Sequence, residues 1–389
     1  MSTARASIES IGHPLVFPAE PGGLNLEALL PEDGAMRVRT MARALAGMQK
    51  EAIIQNGPAG KIWRVVCDEG PWLNGTDLAP FPLAFFAAGL AASFMSEFLG
   101  EAGDRNLSID SLNIVQDNFF TMEGSALRGT MSAGVQPMKV SISARGNAAA
   151  AEFEDIAETA LRDRCPAVRC LHETLSSGFA IRANDEELSW PGEAASNVAE
   201  LADPAGLFDR MSPALISETA VIRKSSVAAN GNTEAVGLKA DQKRIVHVRT
   251  EGMIRDDGLK SIKVQCMQPQ GSCFQMLSDD SRASGGQERA PDGLAYLAAG
   301  VAFCFMTQIG RYAQITRQKL NAYRIIQDTA YRLLRNDSPV PLAVETLLCV
   351  DTDEPPEKSI KLAQMGEQTC YVHAAFRSAV ETKVSFHTS

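Results

Sequence analysis

Two thiols, and the spacing between them, are the first chemistry this chain offers. Cys304 stands in the middle of Leu294-Ala-Tyr-Leu-Ala-Ala-Gly-Val-Ala-Phe-Cys-Phe-Met306, a stretch apolar on every side. Cys370 follows 66 residues later in a second helical pattern. Thiols on two helices at such a spacing can face one another, which is the geometry of a redox pair. An earlier stretch, Leu83-Ala-Phe-Phe-Ala-Ala-Gly-Leu-Ala-Ala-Ser-Phe-Met95, repeats the first at a constant offset of 211, with eight of thirteen positions identical. It carries Ser93 where the later copy has Cys304, and Cys165 follows Ser93 by 72 residues. A serine cannot act as a redox nucleophile, so at most one redox site per chain is expected.

The remaining reactive residues have plainer readings. Free cysteine is among the most buried residue types, so Cys304 can also be read as an inert core thiol. Cys165 and Cys170 are read as structural. Cys67, Cys266, Cys273 and Cys349 fall on expected strands and are read as core or sheet residues. His373, three residues past Cys370, is either a base beside a thiol or an ordinary surface histidine, and His172 and His247 are weighed alike. Trp63 and Trp72 are assigned to packing. The chain has five histidines, no two at metal-ligand spacing, and no C-x-x-C pair, so no metal is expected. Gly57-Pro-Ala-Gly-Lys61 is too short for a phosphate loop and lacks its Ser/Thr. Neither a nucleophile elbow nor a dinucleotide fingerprint occurs, and no cofactor is expected.

Composition narrows the partners. A net charge of -10 and a sequence pI near 5.2, without a basic run, argue against nucleic acid. With 45% hydrophobic and 22% charged residues the composition is that of a globular protein. The beginning of the sequence shows no basic start followed by an apolar core, so no secretory leader is expected. Eight cysteines then read as reduced thiols in the cytoplasm. Each apolar stretch has an uncharged run somewhat shorter than the roughly 20 residues that span a bilayer. Both are therefore expected to be central helices enclosed by sheet, with no membrane partner.

The elements that position these residues repeat as well. Residues 1–35 read as an N-terminal arm. Met36 to Gln55 reads as a helix, with Met41, Leu45, Met48 and Ile53 at apolar positions. Lys61 to Cys67 reads as a strand, and Asp68 to Pro80 as a loop dense in turn formers. After the first apolar helix come strands at Leu107 to Asp117, Leu127 to Ser132 and Met138 to Ala144. A helix over Ala149 to Leu175, with Glu152, Glu154 and Asp155 at its start, and a strand at Phe179 to Ala183 close the half. A polar stretch, 185–212, connects to a second round. There strands are expected at Ala220 to Val227, Arg244 to Thr250, Ile262 to Met267 and Ser272 to Leu277. The Ser278–Gly293 loop and the Cys304 helix follow. Further strands are expected at Ala322 to Leu334 and Leu342 to Val350, then a helix over Lys358 to Ala379 and a strand at Thr382 to Phe386. The resulting units are 36–184 and 213–389.

The segment Asp68-Glu-Gly…Asn-Gly-Thr-Asp-Leu-Ala-Pro-Phe-Pro-Leu-Ala-Phe-Phe-Ala-Ala-Gly resembles the family of osmotically inducible protein C and organic hydroperoxide resistance protein. So does Ser278-Asp-Asp…Ser-Gly-Gly…Ala-Pro-Asp-Gly-Leu-Ala-Tyr-Leu-Ala-Ala-Gly-Val-Ala-Phe-Cys304. Cys165-Pro-Ala-Val-Arg and Cys370-Tyr-Val-His resemble the second cysteine of that family. The resemblance covers about 50–185 and 215–389 as two tandem copies. It implies an α+β fold, each unit having antiparallel sheets around two long helices, and the two units forming an intramolecular pseudo-dimer.

The resemblance also implies thiol peroxidation, with Cys304 attacking, Cys370 resolving, and Ser93 with Cys165 as the degenerate counterpart. The family's supporting glutamate, ten residues before the first cysteine, falls on Leu294 here and on Leu83 in the first half. Asp292 is the nearest substitute, and Arg64, Arg249 and Arg255 are the candidates for the supporting arginine. A thiol without a nearby cation in an apolar helix has a raised pKa and is unreactive. The expected function is a cysteine-based peroxidase or thiol reductase for organic hydroperoxides or a related small electrophile, recycled by a thiol reductant. The alternatives are a hydrolase-like cysteine enzyme or a small-molecule-binding protein on the same scaffold. Association of chains beyond the pseudo-dimer is left open.

Overall fold

A helix that is apolar all round must be enclosed, and here the two copies enclose each other. In the computed structural model, which describes residues 6–20, 34–210, 212–213, 220–226, 236–333 and 338–387, the helices Pro82–Asp104 and Gly293–Thr316 cross at the centre. Their glycines let the backbones touch. A Cβ on Gly89 would stand 2.4 Å from the Leu297 nitrogen, and one on Gly300 would stand 2.4 Å from the Phe86 nitrogen. Both pairs are related by the offset of 211, so the crossing is a pseudo-twofold contact. Any side chain at either glycine would push the helices apart, an overpacking cost of about 1–3 kcal/mol or more. Each helix is long and apolar enough to cross a membrane, but 78% and 94% of their apolar windows are buried within the protein.

Two sheets clamp this pair, and each is assembled from both halves of the chain. In the larger, the strands Met36–Ala44, Lys50–Asn56 and Ile62–Cys67 continue across a seam to Leu320–Leu333 and Val344–Thr352 of the second half. The seam is antiparallel, Thr40 opposite Gln327 and Asp328 opposite Arg39. In the smaller, the second half's Asp241–Ile254, Lys260–Gln268 and Gln270–Ser278 continue to the first half's Ile109–Ser125 and Ser132–Gly146. Arg249 lies opposite Asp117 there. The fold is therefore α+β, with two units exchanging strands to form an intramolecular pseudo-dimer. Each sheet therefore contains strands from both halves.

Several elements differ from the sequence reading. Met36 to Gln55 is a hairpin, not a helix, turning at Gly47 with φ 61°. Both faces of its strands are buried, so its apolar residues do not alternate and their spacing imitates a helix. Leu127 to Ser132 holds a turn, not a strand. Leu127 is exposed at the tip, and Ser132 only begins the next strand. Of the expected N-terminal arm, Ile8–Ile11 is a capped helical turn and Val16–Glu20 pairs with Ile62–Cys67. Residues 1–5 and 21–33 of that arm lie outside the described residues. So do residue 211 of the connection, Val227 and Leu334.

The polar connection is more than a tether. Its Ala195, Val198, Leu207 and Phe208 pack on Met41, Ile53 and Ile326, covering the outer face of the larger sheet. Asp203 binds Arg324 there at 2.6 Å.

Both second helices are broken at their cysteines. Pro356–Thr369 and Tyr371–Phe376 are separated by Cys370, with φ -74° and ψ 120°. On the other side Cys165, φ -77° and ψ 107°, separates residues 160–164 from Pro166–His172. Pro166 disfavours helical backbone at the residue before it, which accounts for Cys165. Cys370 adopts the same geometry without a proline after it.

Candidate functional site

The break at Cys370 turns its thiol toward the second core helix, where it meets Cys304. Both are buried, and the Cys370 thiol lies beside Cys304. Burial pushes Cys370 well above the ordinary thiol range, and its contact with Cys304 acts in the same direction. The corresponding pair meets in the other half, where the Cys165 thiol donates to Ser93 Oγ at 3.3 Å. Burial pushes Cys165 up to about 12.

Cys304 opens onto a partly open cleft of about 430 Å³ between the two units. The first unit supplies Trp72, Leu73 and Phe81, from the loop and the helix start, together with Glu69. The second supplies Arg244, Val246 and Pro269 from the smaller sheet and its turn, and Thr307, Gln308 and Tyr371 from the helices. The walls are mainly apolar with a few convergent polar groups, the composition of a small-molecule site. Thr307 donates to Glu69 Oε1 at 2.7 Å. Arg244 Nε donates to Tyr371 Oη at 3.1 Å, and the guanidinium lies 6.0 Å from the ring centroid. Among the described residues Arg244 makes no ion pair with a carboxylate.

Charges behind the cleft tune Glu69. Burial raises its pKa above the ordinary carboxylate value, opposed by Lys50, Thr307 and Arg244. Lys50 is fully buried and donates to the Met48 carbonyl at 2.6 Å. Burial pulls Lys50 down, but neighbouring negative charge, that of Glu69 and Asp68 and of Cys67 and Tyr323 when they ionise, opposes it and the net shift is upward. The ammonium therefore stays charged. Cys67, fully buried, is pushed well up and stays neutral.

Of the catalytic residues anticipated from sequence, Cys304 lines this cleft, and Cys370 lies beside it, fully buried behind the lining. Asp292 caps the start of the Cys304 helix, accepting from the Ala295 nitrogen at 2.8 Å and from Asn56 at 2.9 Å. Twelve residues separate it from Cys304, about 18 Å of helix, so it serves the helix end and not the thiol. Arg64 pairs with Glu51 and lies over the Phe17 ring on the far face of the larger sheet. Arg249 is held by Asp117 at 2.8 and 2.9 Å, outside the smaller sheet. Arg255 pairs with Asp257 at an exposed turn. His373 is wholly buried beside the Phe179 and Phe305 rings, and burial pushes it down to about 3. It is a neutral core residue and not a surface one, and its ring nitrogens hydrogen-bond to nothing among the described residues.

The cleft residues that sequence reasoning missed are Arg244, Glu69, Thr307, Gln308 and Tyr371, and Trp72 has a second role as a cleft wall. One signal was available for two of them. The offset of 211 relates Glu69 to Asp280 and Thr307 to Ser96, and Ser96 indeed donates to Asp280 at 2.6 Å. Two acids repeated at that offset from two hydroxyls mark a paired contact.

A family model described as OsmC-like protein matches residues 75–177 and 285–385, together just over half of the chain. Among solved structures, an OsmC-like hydroperoxide resistance protein from Jannaschia sp. CCS1 is similar at 15% identity. The match covers 40% of this chain and 98% of that one, with a TM-score of 0.26. No curated protein matches.

Proposed function

The chain belongs to the OsmC-like protein family, and from that premise we propose that it is a cysteine-based peroxidase for small organic hydroperoxides, with one active site per chain. The observation that carries the reading is Cys370 lying beside Cys304, which lines a cleft that also holds Arg244, an arginine with no carboxylate ion pair among the described residues. A guanidinium at that position supplies the cation that a reactive thiolate needs and that an apolar helix lacks. Arg244 thus takes the role sought among Arg64, Arg249 and Arg255.

In the proposed reaction the Cys304 thiolate attacks the outer peroxide oxygen. An S–O bond forms, the O–O bond breaks, and the alcohol leaves after taking a proton. Cys304 becomes a sulfenic acid. The Cys370 sulfur then attacks Cys304, an S–S bond forms and water leaves. An external dithiol reduces the bridge and is itself oxidised to a disulfide. Arg244 steadies the negative charge on sulfur and on the departing oxygen. The break in the helix at Cys370 leaves its sulfur free to close the bond.

The test is mass spectrometry of the whole protein, thiols blocked, before and after one equivalent of cumene hydroperoxide. A rapid Cys304–Cys370 bridge is expected. An unmodified Cys304 would remove the peroxidase reading.

A further inference from the structure

One wall of the Cys304 cleft is seated on glycines. Trp72 belongs to the short turn Pro71–Leu73, and its indole lines the cleft beside Phe81, the two rings edge to face at 6.4 Å between centroids. A Cβ on Gly70 would stand 2.2–2.7 Å from the benzo edge of that indole. One on Gly271, supplied by the second unit, would stand 2.9 and 3.2 Å from the same edge. The next residue is docked alike, since a Cβ on Gly237 would stand 2.5 Å from Leu73 Cδ2. Each of these glycines admits a side chain into the space its own Cβ would fill.

The backbone does not require the two glycines at the indole. Gly70 has φ -78° and ψ 176°, and neither it nor Gly271 has a positive φ. The other half supplies the comparison. By the offset of 211, Ser281 stands in place of Gly70, with φ -63° and ψ 158°, and Ala283 in place of Trp72. Gly75 and Gly286 also correspond, and both are kept, because a Cβ there would lie 1.8 Å from the Glu69 carbonyl oxygen or 1.9 Å from that of Asp280. The glycine at 70 therefore goes with the indole and not with the turn. Close packing leaves an indole held between two backbones little room to give way. We infer that Trp72 is the specificity-determining residue of the cleft, fixing the bulk of the organic group that can reach Cys304. Compact groups pass and fused polycyclic ones do not. The inference rests on Cys304 being reached through this cleft, as the proposed function has it, and not on the reagent being a hydroperoxide.

The test is thiol labelling of the full chain, native and with Trp72→Ala or Trp72→Phe, by N-methylmaleimide and by N-(1-pyrenyl)maleimide. Labelling is read at Cys304 by peptide mass spectrometry and scaled to Cys273, which is only half-buried and does not line the cleft. Native Cys304 is expected to take the methyl reagent at least about tenfold faster than the pyrenyl one, and Trp72→Ala should shrink that ratio at least about fivefold. Trp72→Phe, which keeps a ring on the two glycines, should shrink it less, and it carries the test if circular dichroism shows that Trp72→Ala does not fold. A ratio unmoved by either substitution would overturn the inference. So would equal labelling of native Cys304 by both reagents, or labelling by neither. The peroxidase reading fails separately. If cumene hydroperoxide leaves native Cys304 unmodified while Trp72→Ala still admits the pyrenyl reagent, the reaction is wrong and the size limit stands.

Discussion

The two halves hold corresponding cysteine-helix pairs, and they have diverged in much of what surrounds them. Cys304 with Cys370 answers Ser93 with Cys165, and both pairs are in contact. The acid–hydroxyl pairs are mirrored too, Glu69 with Thr307 and Asp280 with Ser96. Beyond that the sites part. Lys260 binds Asp280 directly at 2.7 Å, whereas Lys50 is turned to the Met48 carbonyl. By the same offset Gln308 corresponds to Glu97, Arg311 to Gly100 and Trp72 to Ala283, while Tyr371 corresponds to Pro166 in the cysteine alignment. The Ser93 side has thus exchanged cationic, aromatic and amide groups for an acid and small residues. The geometry of two helices meeting at a broken second helix survives in both, because the shared core fixes it. The chemistry survives in one, because it depends on side chains that packing leaves free to vary.

The sharpest way to break this comparison is to remove its one distinguishing atom. Cys304→Ser should lower hydroperoxide consumption at least about 10³-fold, measured as initial rate with a dithiol reductant. Activity kept within a few-fold would place the chemistry elsewhere. Arg244→Met should cost about 10²-fold in kcat/KM while leaving Cys304 present and the fold intact. An unchanged rate would mean that the cleft's guanidinium does not serve the thiol.

Ser93→Cys asks the converse question. The 3.3 Å approach of Cys165 to Ser93 predicts a second disulfide on mild oxidation with diamide, seen as a mass loss of two hydrogens. Its peroxidase rate should be less than about a tenth of the native site's, since burial first, and the nearby acid Glu97 after it, raise the Cys165 thiol that would pair with it. Equal rates from both sites would show that contact of two thiols suffices.

The smallest effect concerns stability. Burial first of all raises Glu97 to about 7, aided by Asp280 and opposed by Arg164 and Lys260. Its folded pKa lies above the unfolded one. Its contribution is therefore complete below the ordinary carboxylate range and is lost as pH rises through about 7. Glu97→Gln, which copies Gln308, should stabilise the protein at pH 8 by about 1–2 kcal/mol after allowance for partial exposure. It should change nothing at pH 4. Denaturant midpoints at the two pH values check this, and equal gains at both would mean that the effect is not ionisation.

The repeat and its candidate reactive centre are legible in the order of residues alone. The offset of 211, the all-round apolar helices, the retained Cys304 with Cys370 and the loss at Ser93 can all be seen in the order of residues. They are local patterns, and a helix apolar on every face has one physical outcome, enclosure. The hairpin at Met36 to Asn56 was hidden for the opposite reason. A strand buried on both faces loses its alternation, and what buries the outer face is the distant connection that carries Phe208. The cleft was hidden more deeply. Glu69 meets Thr307 from 238 residues away, and Tyr371 meets Arg244 from 127. Only the exchange of strands between the units brings these walls together. Which arginine reaches the cleft without a carboxylate ion pair among the described residues is likewise a tertiary matter, because Arg64, Arg249 and Arg255 are bound by acids that folding places beside them.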